Sequence, residues 1–439
     1  MSGRLRNSLT AIVAGFLAAV CVNAQDGTYG GYTPYSVYGI GEIHNYGSAF
    51  NKSMGGVGIA TRNRRFVNYM NPASLTARDS LSFMADFGLY GKTAIFNQNG
   101  ERSINNIMNL EDFVISFPLF RHTAMMVGIA PYSDTGYNFT YIEQDPDLIG
   151  RTGTQGYSAT GNGSIYQAFA GGAITLWDRL SLGAQYILYF GKIEKNVNLA
   201  FGKDSYRNIV SGHKLQLNAS TAKFGLQYDQ PLGGMTKMTI GGTYKLKAGM
   251  HGYTNDYSYA TISSLTDTLK NNTVHLTGKE NLKFSDELGV GISLKGGERW
   301  SAEVDYIRSD WRNLGYDETS GFSNSSAYVF SSSIAQSFRA GFEFTPNRSD
   351  IRYFYKRITY RGGLYYDQSY YRLDGNPIDS YGITLGATIP VNAGYNGITV
   401  GLEFGKKGTI KNGLVRENYF GFNIGFNIFD IWFQKSMYD

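Results

Sequence analysis

The stretch "DSLSFMADFGLYG" (Asp79–Gly91) alternates without a break. Leu81, Phe83, Ala85, Phe87 and Leu89 take one side. Ser82, Met84, Asp86, Gly88 and Tyr90 take the other. A period of two is the mark of a strand with one apolar face. The rhythm returns in "SYGITLGATI" (Ser380–Ile389), "GITVGLEFG" (Gly397–Gly405) and "YFGFNIGFNI" (Tyr419–Ile428). In the last of these Phe420, Phe422, Ile424, Phe426 and Ile428 oppose Gly421, Asn423, Gly425 and Asn427. The second face decides the architecture. A soluble sandwich bathes that face in water and fills it with Lys and Glu, whereas here Gly, Ser, Thr and Asn dominate. Small polar residues suit the crowded interior of a barrel, and large aromatics opposite them suit lipid.

Working outward, about fourteen such segments follow one another. They fall near 81–91, 110–120, 123–135, 163–176, 180–193, 213–229, 236–250, 280–295, 299–312, 333–345, 354–369, 378–390, 396–407 and 416–429. Links after even-numbered segments are short: "FRH", "WDR", "QPLGGM", "KGGER", "TPNRSD" and "PVNAGYN". Most links after odd-numbered segments are long: 136–162, 194–212, 251–279 and 313–332. Short turns on one rim and long loops on the other mark an outer-membrane β-barrel, with both termini on the short-turn side. A propeller or sandwich explains neither this rhythm nor the apolar last strand. Trp177 and Trp300 fall at short turns and Trp432 after the last strand, where amphipathic rings anchor at the interface. Trp300 and Trp311 have opposite parity, so facing lipid together would need a bulge between them. Leu215 and Leu217 are odd whereas Phe224, Leu226 and Tyr228 are even, which reads as a bulge near Ser220.

The totals agree. Tyr (34), Phe (27) and Gly (55) are heavily used in 439 residues, and only 17% are charged. The one long apolar run, "AIVAGFLAAVCV" (Ala11–Val22), is too short to span a membrane as a helix. It follows Arg4 and Arg6 and precedes "VNA" (Val22–Ala24), the layout of a secretory signal peptide cut after Ala24. Val20 is a poor residue before a lipidated cysteine, so Cys21, the single cysteine, is expected to leave with the signal. The mature chain then holds no thiol for disulfides, metal or nucleophilic attack. Removing Arg4 and Arg6 takes the formal charge from +5 to +3. That is too weak to imply nucleic acid.

Before the first strand lies a Gly- and Tyr-rich segment. A wide barrel has a lumen to fill, so a plug is expected there. Within it "NPASL" (Asn71–Leu75) opens a short helix, with Asn71 as cap and Pro72 at the first position. "SMGGVGIATRNRRFVNYMNPASL" (Ser53–Leu75), with its Gly56-Val57-Gly58-Ile59-Ala60 step and Asn71-Pro72-Ala73, resembles the plug of the FadL/TodX family of outer-membrane transporters for hydrophobic compounds. "FSDELGVGISLKGGERWSAEVDYIRSDW" (Phe284–Trp311) resembles that family's mid-barrel strand pair. The tail "QKSMYD" (Gln434–Asp439) departs from the usual barrel ending on an aromatic residue.

The expected organisation is a signal peptide (1–24), a plug (25–78) and an all-β, antiparallel transmembrane barrel of about fourteen strands (79–439). The resemblance implies passive uptake of long-chain fatty acids or other hydrophobic molecules across the outer membrane of a gram-negative bacterium. It also implies a sideways exit at a kinked third strand. Here that strand reads "AMMVGIAPYSDTGYNF" (Ala124–Phe139), and Pro131, Ser133, Asp134 and Gly136 are the candidate gate. Proline removes a ladder donor, so Pro131 marks either a local opening or a strand that has already left the membrane. The plug motif residues are Gly55, Gly56, Gly58, Asn71, Pro72 and Ala73. Arg62, Arg64 and Arg65 form a basic cluster that meets either a ligand carboxylate or lumen-facing acids such as Asp86, Glu287, Glu303 or Asp305. Some FadL-like barrels serve instead as docking or shuttle proteins in protein secretion, which is the alternative function. Expected partners are outer-membrane lipid, a hydrophobic ligand and the barrel-assembly machinery, with no nucleic acid. The five histidines show no metal-ligand spacing, and neither a nucleophile elbow nor a phosphate loop is present. No catalytic residue, metal or cofactor is expected.

Overall fold

A computed structural model describes residues 30–78, 82–120, 122–262, 265–278, 282–319, 324–325, 328–391 and 396–431. The segment expected as a signal peptide (1–24, with Cys21), Trp432 and the tail 434–439 lie outside the described residues. Fourteen antiparallel strands close into a barrel among the described residues. They are β1 (Ser82–Gln98), β2 (Glu101–Pro118), β3 (Thr123–Ile142), β4 (Gln155–Leu176), β5 (Leu180–Phe201) and β6 (Asn208–Gly233). β7 comprises Thr236–Lys245 and, beyond a break, His251–Ile262; β8 comprises Leu265–Thr277 and Glu287–Gly296. Then come β9 (Trp300–Asp310), β10 (Ile334–Phe344), β11 (Thr359–Leu373), β12 (Asn376–Pro390), β13 (Gly397–Lys407) and β14 (Arg416–Ile431). β1 pairs with β14 from Ser82 opposite Ile431 to Asn97 opposite Arg416, and this seam leaves no free edge between first and last strands.

The alternation of β1 becomes the wall. Ser82, Met84 and Asp86 are buried toward the lumen. On the outside, Ile383, Leu385, Val304, Phe338, Phe342 and Phe404 are exposed on neighbouring strands, an apolar surface that only lipid covers without cost.

Several links differ from the reading of the sequence. Three of the four long odd-numbered links, 136–162, 194–212 and 251–279, are largely strand. β5 runs to Phe201 and β6 starts at Asn208, so most of 194–212 is a hairpin standing above the apolar band. Beyond that band the outer face meets water instead of lipid, and the alternation that marks a strand fades. The turns Asn99–Gly100 and Asp374–Gly375 have positive φ at both residues, the geometry that joins twisted strands most tightly. On the other rim, β11 begins at Thr359 rather than near 354, so the link after β10 is longer than "TPNRSD".

No bulge interrupts β6 near Ser220. Its ladder with β5 runs in register from Ile209 opposite Leu199 to Tyr228 opposite Leu180. Leu215 and Leu217 face inward along with Lys223 and Gln227. The lumen itself changes from polar to apolar along the strand, and that change mimics a shift of parity. Trp311 is likewise buried, donating from Nε1 to Ser309 Oγ at 3.0 Å and packing against Tyr316 and Tyr370.

Residues from Gly30 to Arg78 form the plug. It contains a 3-10 turn (Pro34–Val37), a two-residue strand (Glu42–Ile43), a helical turn (Ala49–Lys52) and a 3-10 helix (Pro72–Ala77). Asn71 caps the last of these, accepting the Ala73 N–H at 3.0 Å, with Pro72 at the first position.

Candidate functional site

The plug motif docks on a belt of wall glycines. Gly183 faces Ala73, Gly225 faces Asn71, Gly241 faces Ile59, Gly341 faces Met54, Gly363 faces Gly55 and Gly386 faces Ser53. At each of these positions a side-chain carbon would overlap the plug or nearly so. Small inward residues therefore let the plug backbone lie on the wall. Gly55, at φ +73°, donates its N–H to Thr384 Oγ1 at 2.7 Å. Gly56 (φ +76°) lies against the Arg339 guanidinium, and Gly58 donates to Asp305 Oδ2 at 2.7 Å. Asn71 Nδ2 reaches the carbonyls of Ile59 (2.7 Å), Leu226 (3.3 Å) and Gly242 (3.5 Å), tying plug to wall.

The basic cluster divides. Arg62 pairs with Asp229 at 3.1 Å and donates to Ser181 Oγ at 2.7 Å. Burial pulls its guanidinium below the ordinary value, and Asp229 opposes that. Arg65 pairs with Glu298 at 3.2 Å. Arg64 belongs to the same half-exposed turn of the plug. The acids expected to meet these arginines do other work. Asp305 also accepts from Ile59 N–H at 2.9 Å, Glu303 from Ala60 N–H at 2.9 Å, and Asp86 from Val67 N–H at 2.5 Å. They satisfy plug amides that have no helix or sheet partner. Glu287 pairs within the wall, with Lys223 at 3.1 Å and Lys245 at 3.2 Å.

The wall opens between β2 and β3. These strands pair only from Phe113 opposite Ile129 to Pro118 opposite Ala124. Beyond that point β2 stays with β1 and β3 stays with β4. The β3–β4 register slips between Pro131 and Ser133, and Tyr132 to Asp134 are buried as β3 bends into the lumen. Pro131 lies opposite Tyr166, which lies opposite Phe190; both aromatics are exposed, and Lys192 follows Phe190 on the outer face.

A strand without a neighbour leaves backbone groups to satisfy. The plug's arm supplies the partners. Glu42 and Ile43 pair with Asp134 and Ser133. The His44 N–H donates to Tyr132 O at 2.9 Å and the Thr33 N–H to Gly136 O at 3.0 Å, while the Gly136 N–H donates to Ser36 Oγ at 3.1 Å. Gly41, at φ +87°, sits against the Asp134 carbonyl where no side chain fits. His44 Nε2 meets Asp134 Oδ2 at 2.5 Å, and Glu42 pairs with Lys407. All four gate candidates therefore cluster at the opening, and Ser133, Asp134 and Gly136 carry the arm.

Three spaces line up along the lumen. Toward the tall rim lies a vestibule of about 780 Å³ walled by Tyr35, Tyr38, Phe96, Tyr137, Phe139 and Tyr157. Below it a cavity of about 250 Å³ is bordered by Glu42, Tyr46, Lys92, Glu287 and Lys407. A cavity of about 150 Å³ at the wall opening is bordered by Lys52, Tyr90, Glu111, Asp112, Ile129 and Pro131. Glu111 and Asp112 escaped the sequence reading because a bulge in β2, between the pairs Gly88–Asp112 and Leu89–Leu110, turns both inward. Consecutive acids in a strand otherwise read as opposite faces. The pairing of the arm with β3 joins residues about ninety positions apart and leaves no local trace.

Solved structures share this fold at low sequence identity. The Ralstonia pickettii toluene transporter TbuX matches with a TM-score of 0.53 and 15% identity, over 87% of this chain and 97% of that one. The P. putida toluene transporter TodX matches at 0.55 and 14%, over 90% and 100%. A Pseudomonas aeruginosa FadL homologue matches at 0.55 and 12%, over 89% and 100%. The resemblance to FadL/TodX barrels thus holds in the fold. Among curated proteins there is no match. The family model described as BamG matches residues 6–439, and the chain belongs to the BamG family.

Proposed function

We propose that this barrel lets hydrophobic or amphipathic small molecules pass the outer membrane passively, leaving sideways between β2 and β3. The observation that carries the reading is the opening itself, a β2–β3 ladder of only six residue pairs in a wall whose β1–β14 seam is paired over sixteen. The aromatic vestibule gives such a molecule a landing surface, since rings bury apolar area while their hydroxyls stay solvated. The arm on β3 is then the element that lifts to open the window. The neighbours described as toluene transporters and as a FadL homologue support the same class of cargo. The location proposed is the outer membrane, reached after loss of residues 1–24, and the role is not enzymatic.

A docking barrel is the second reading. It is favoured by the outer parts of β7 and β8, where Leu265–Thr277 stands almost wholly exposed above the wall. One experiment separates the two: mass spectrometry of what co-purifies with the detergent-extracted barrel, followed by titration with a long-chain fatty acid. Passage predicts a stoichiometric small molecule displaced on titration. A barrel with no saturable ligand but with a co-purifying protein would replace passage by docking.

A further inference from the structure

We propose that the cavity at the β2–β3 opening recognises the cationic head group of an amphipathic amine, held by Asp112 beside the Lys52–Glu111 pair. The proposal rests on the passage reading above and narrows its cargo.

The bulge in β2 places two consecutive carboxylates inside the wall, Glu111 at 3% and Asp112 at 1% exposure. A buried carboxylate is stable only when paired or well hydrogen-bonded. Lys52 from the plug meets one of them, its Nζ 2.5 Å from Glu111 Oε1. Asp112 Oδ2 has no hydrogen-bond partner and lines the cavity; the Tyr69 hydroxyl is the neighbouring donor on that side chain. Around the cavity the three carboxyl side chains of Glu111, Asp112 and Asp134 face the two basic side chains Lys52 and His44.

The cavity already shows how an ammonium sits there. The Lys52 Nζ lies between the Glu111 carboxylate and the Tyr90 ring, 5.1 Å from the ring centroid. A carboxylate and an aromatic face are the two groups that bind ammonium ions well. The lips of the opening are apolar. Leu110 and Met108 on β2 are about half exposed, and Ile129 on β3 faces the same way. An alkyl chain lies among them while its ammonium reaches Asp112. An ammonium brings a donor to the unpartnered Asp112 Oδ2 and a fatty-acid carboxylate brings none, and that difference gives selectivity.

The test uses the full barrel in lipid nanodiscs at neutral pH with three probes of one chain length: dodecylammonium, dodecanol and dodecanoate. Binding is read by native mass spectrometry. Dodecylammonium is expected to bind at least about tenfold more tightly than the other two, the scale of one charged hydrogen bond. Asp112→Asn removes that preference and leaves dodecanol unchanged. Lys52→Met, which frees Glu111, retains or strengthens it. Heat-modifiable migration on gels reports folding of each variant. If Asp112→Asn does not fold, the ranking of the three probes on the unaltered barrel still decides. Dodecanoate binding as tightly as dodecylammonium, or a preference that survives in folded Asp112→Asn, overturns the proposal. Saturable dodecanol binding with no effect of charge sinks only the head-group assignment. If no probe binds, the passage reading fails with it.

Discussion

The α-carbon of Gly241 lies against the carbonyl oxygen of Ile59, so close that a single methyl group there would overlap it. Its neighbour Gly242 points the other way, with nothing within 4 Å of the place a side chain would occupy. The pair isolates what the plug asks of the wall. Gly241→Ala must push the plug backbone away, and overpacking of this kind costs about 1–3 kcal/mol. Gly242→Ala adds a methyl on the lipid side and should be near neutral. Urea midpoints of the two variants, followed by tryptophan fluorescence, test this. Equal midpoints would mean that the plug does not rest on the glycine belt.

Asn71 joins three roles in one side chain. It caps the 3-10 helix through Ala73 N–H and bonds the carbonyls of Ile59 and Leu226. Asn71→Ala loses the cap and the amide's bond to Ile59 O, which keeps Gln227 Nε2 as a donor at 2.9 Å, a loss of about 1–2 kcal/mol. The plug should become cleavable by an added protease at concentrations that spare the unaltered chain. Asn71→Asp keeps the cap but sets a buried carboxylate oxygen against the Ile59 and Leu226 carbonyls, so its protection should fall at least as far as that of Asn71→Ala. Equal protease resistance in all three proteins would remove Asn71 as an anchor.

How much of this was legible follows from where the information sits. Phe83, Ala85 and Phe87 against Ser82, Met84 and Asp86 declare two faces of one strand, because lipid and lumen impose opposite chemistry at a spacing of two. The cap at Asn71, with Pro72 after it, is local and reads directly. Leu215 and Leu217 mislead, because the lumen turns apolar at their height and the alternation loses its contrast. The arms of the tall hairpins fade for a related reason. The site is harder still. A bulge at Glu111 moves one residue out of register, and strand parity assumes that none does. The partner of β3 comes from Glu42 and Ile43, a contact set by the whole closed barrel and by no neighbour in the chain.

The arm has a pH dependence whose direction is fixed by Glu42. Burial pushes its carboxyl up, but Lys407, with Lys92 and His44 nearby, overrides burial and holds it below the usual carboxylate range. A carboxyl with a depressed value stabilises the docked arm fully above its free value, near ~4.3, and loses that contribution as pH falls through the docked value. Arm mobility, read by a spin label at position 43, should therefore stay flat from about pH 8 to about pH 5 and rise only below roughly pH 4. Glu42→Gln should be more mobile across the whole range. A rise in the unaltered chain near neutral pH would show that another group controls the arm.

Passage through the window requires the arm to leave β3, and a covalent link there should stop it. Ile43 and Ser133 are register partners. Directly opposed residues in antiparallel pairs have Cα atoms about 4.5–5.5 Å apart, within the span that a disulfide bridges. Ile43→Cys combined with Ser133→Cys, made in a chain whose single native cysteine, Cys21, is replaced by Ser, should form one bond without competition. In vesicles carrying the oxidised double variant, transfer of a labelled hydrophobic probe should fall to the level of vesicles without barrel. A reductant should restore it, and each single variant should transfer normally. Full transfer in the oxidised form would place the exit elsewhere in the wall and leave the arm as a structural strand only.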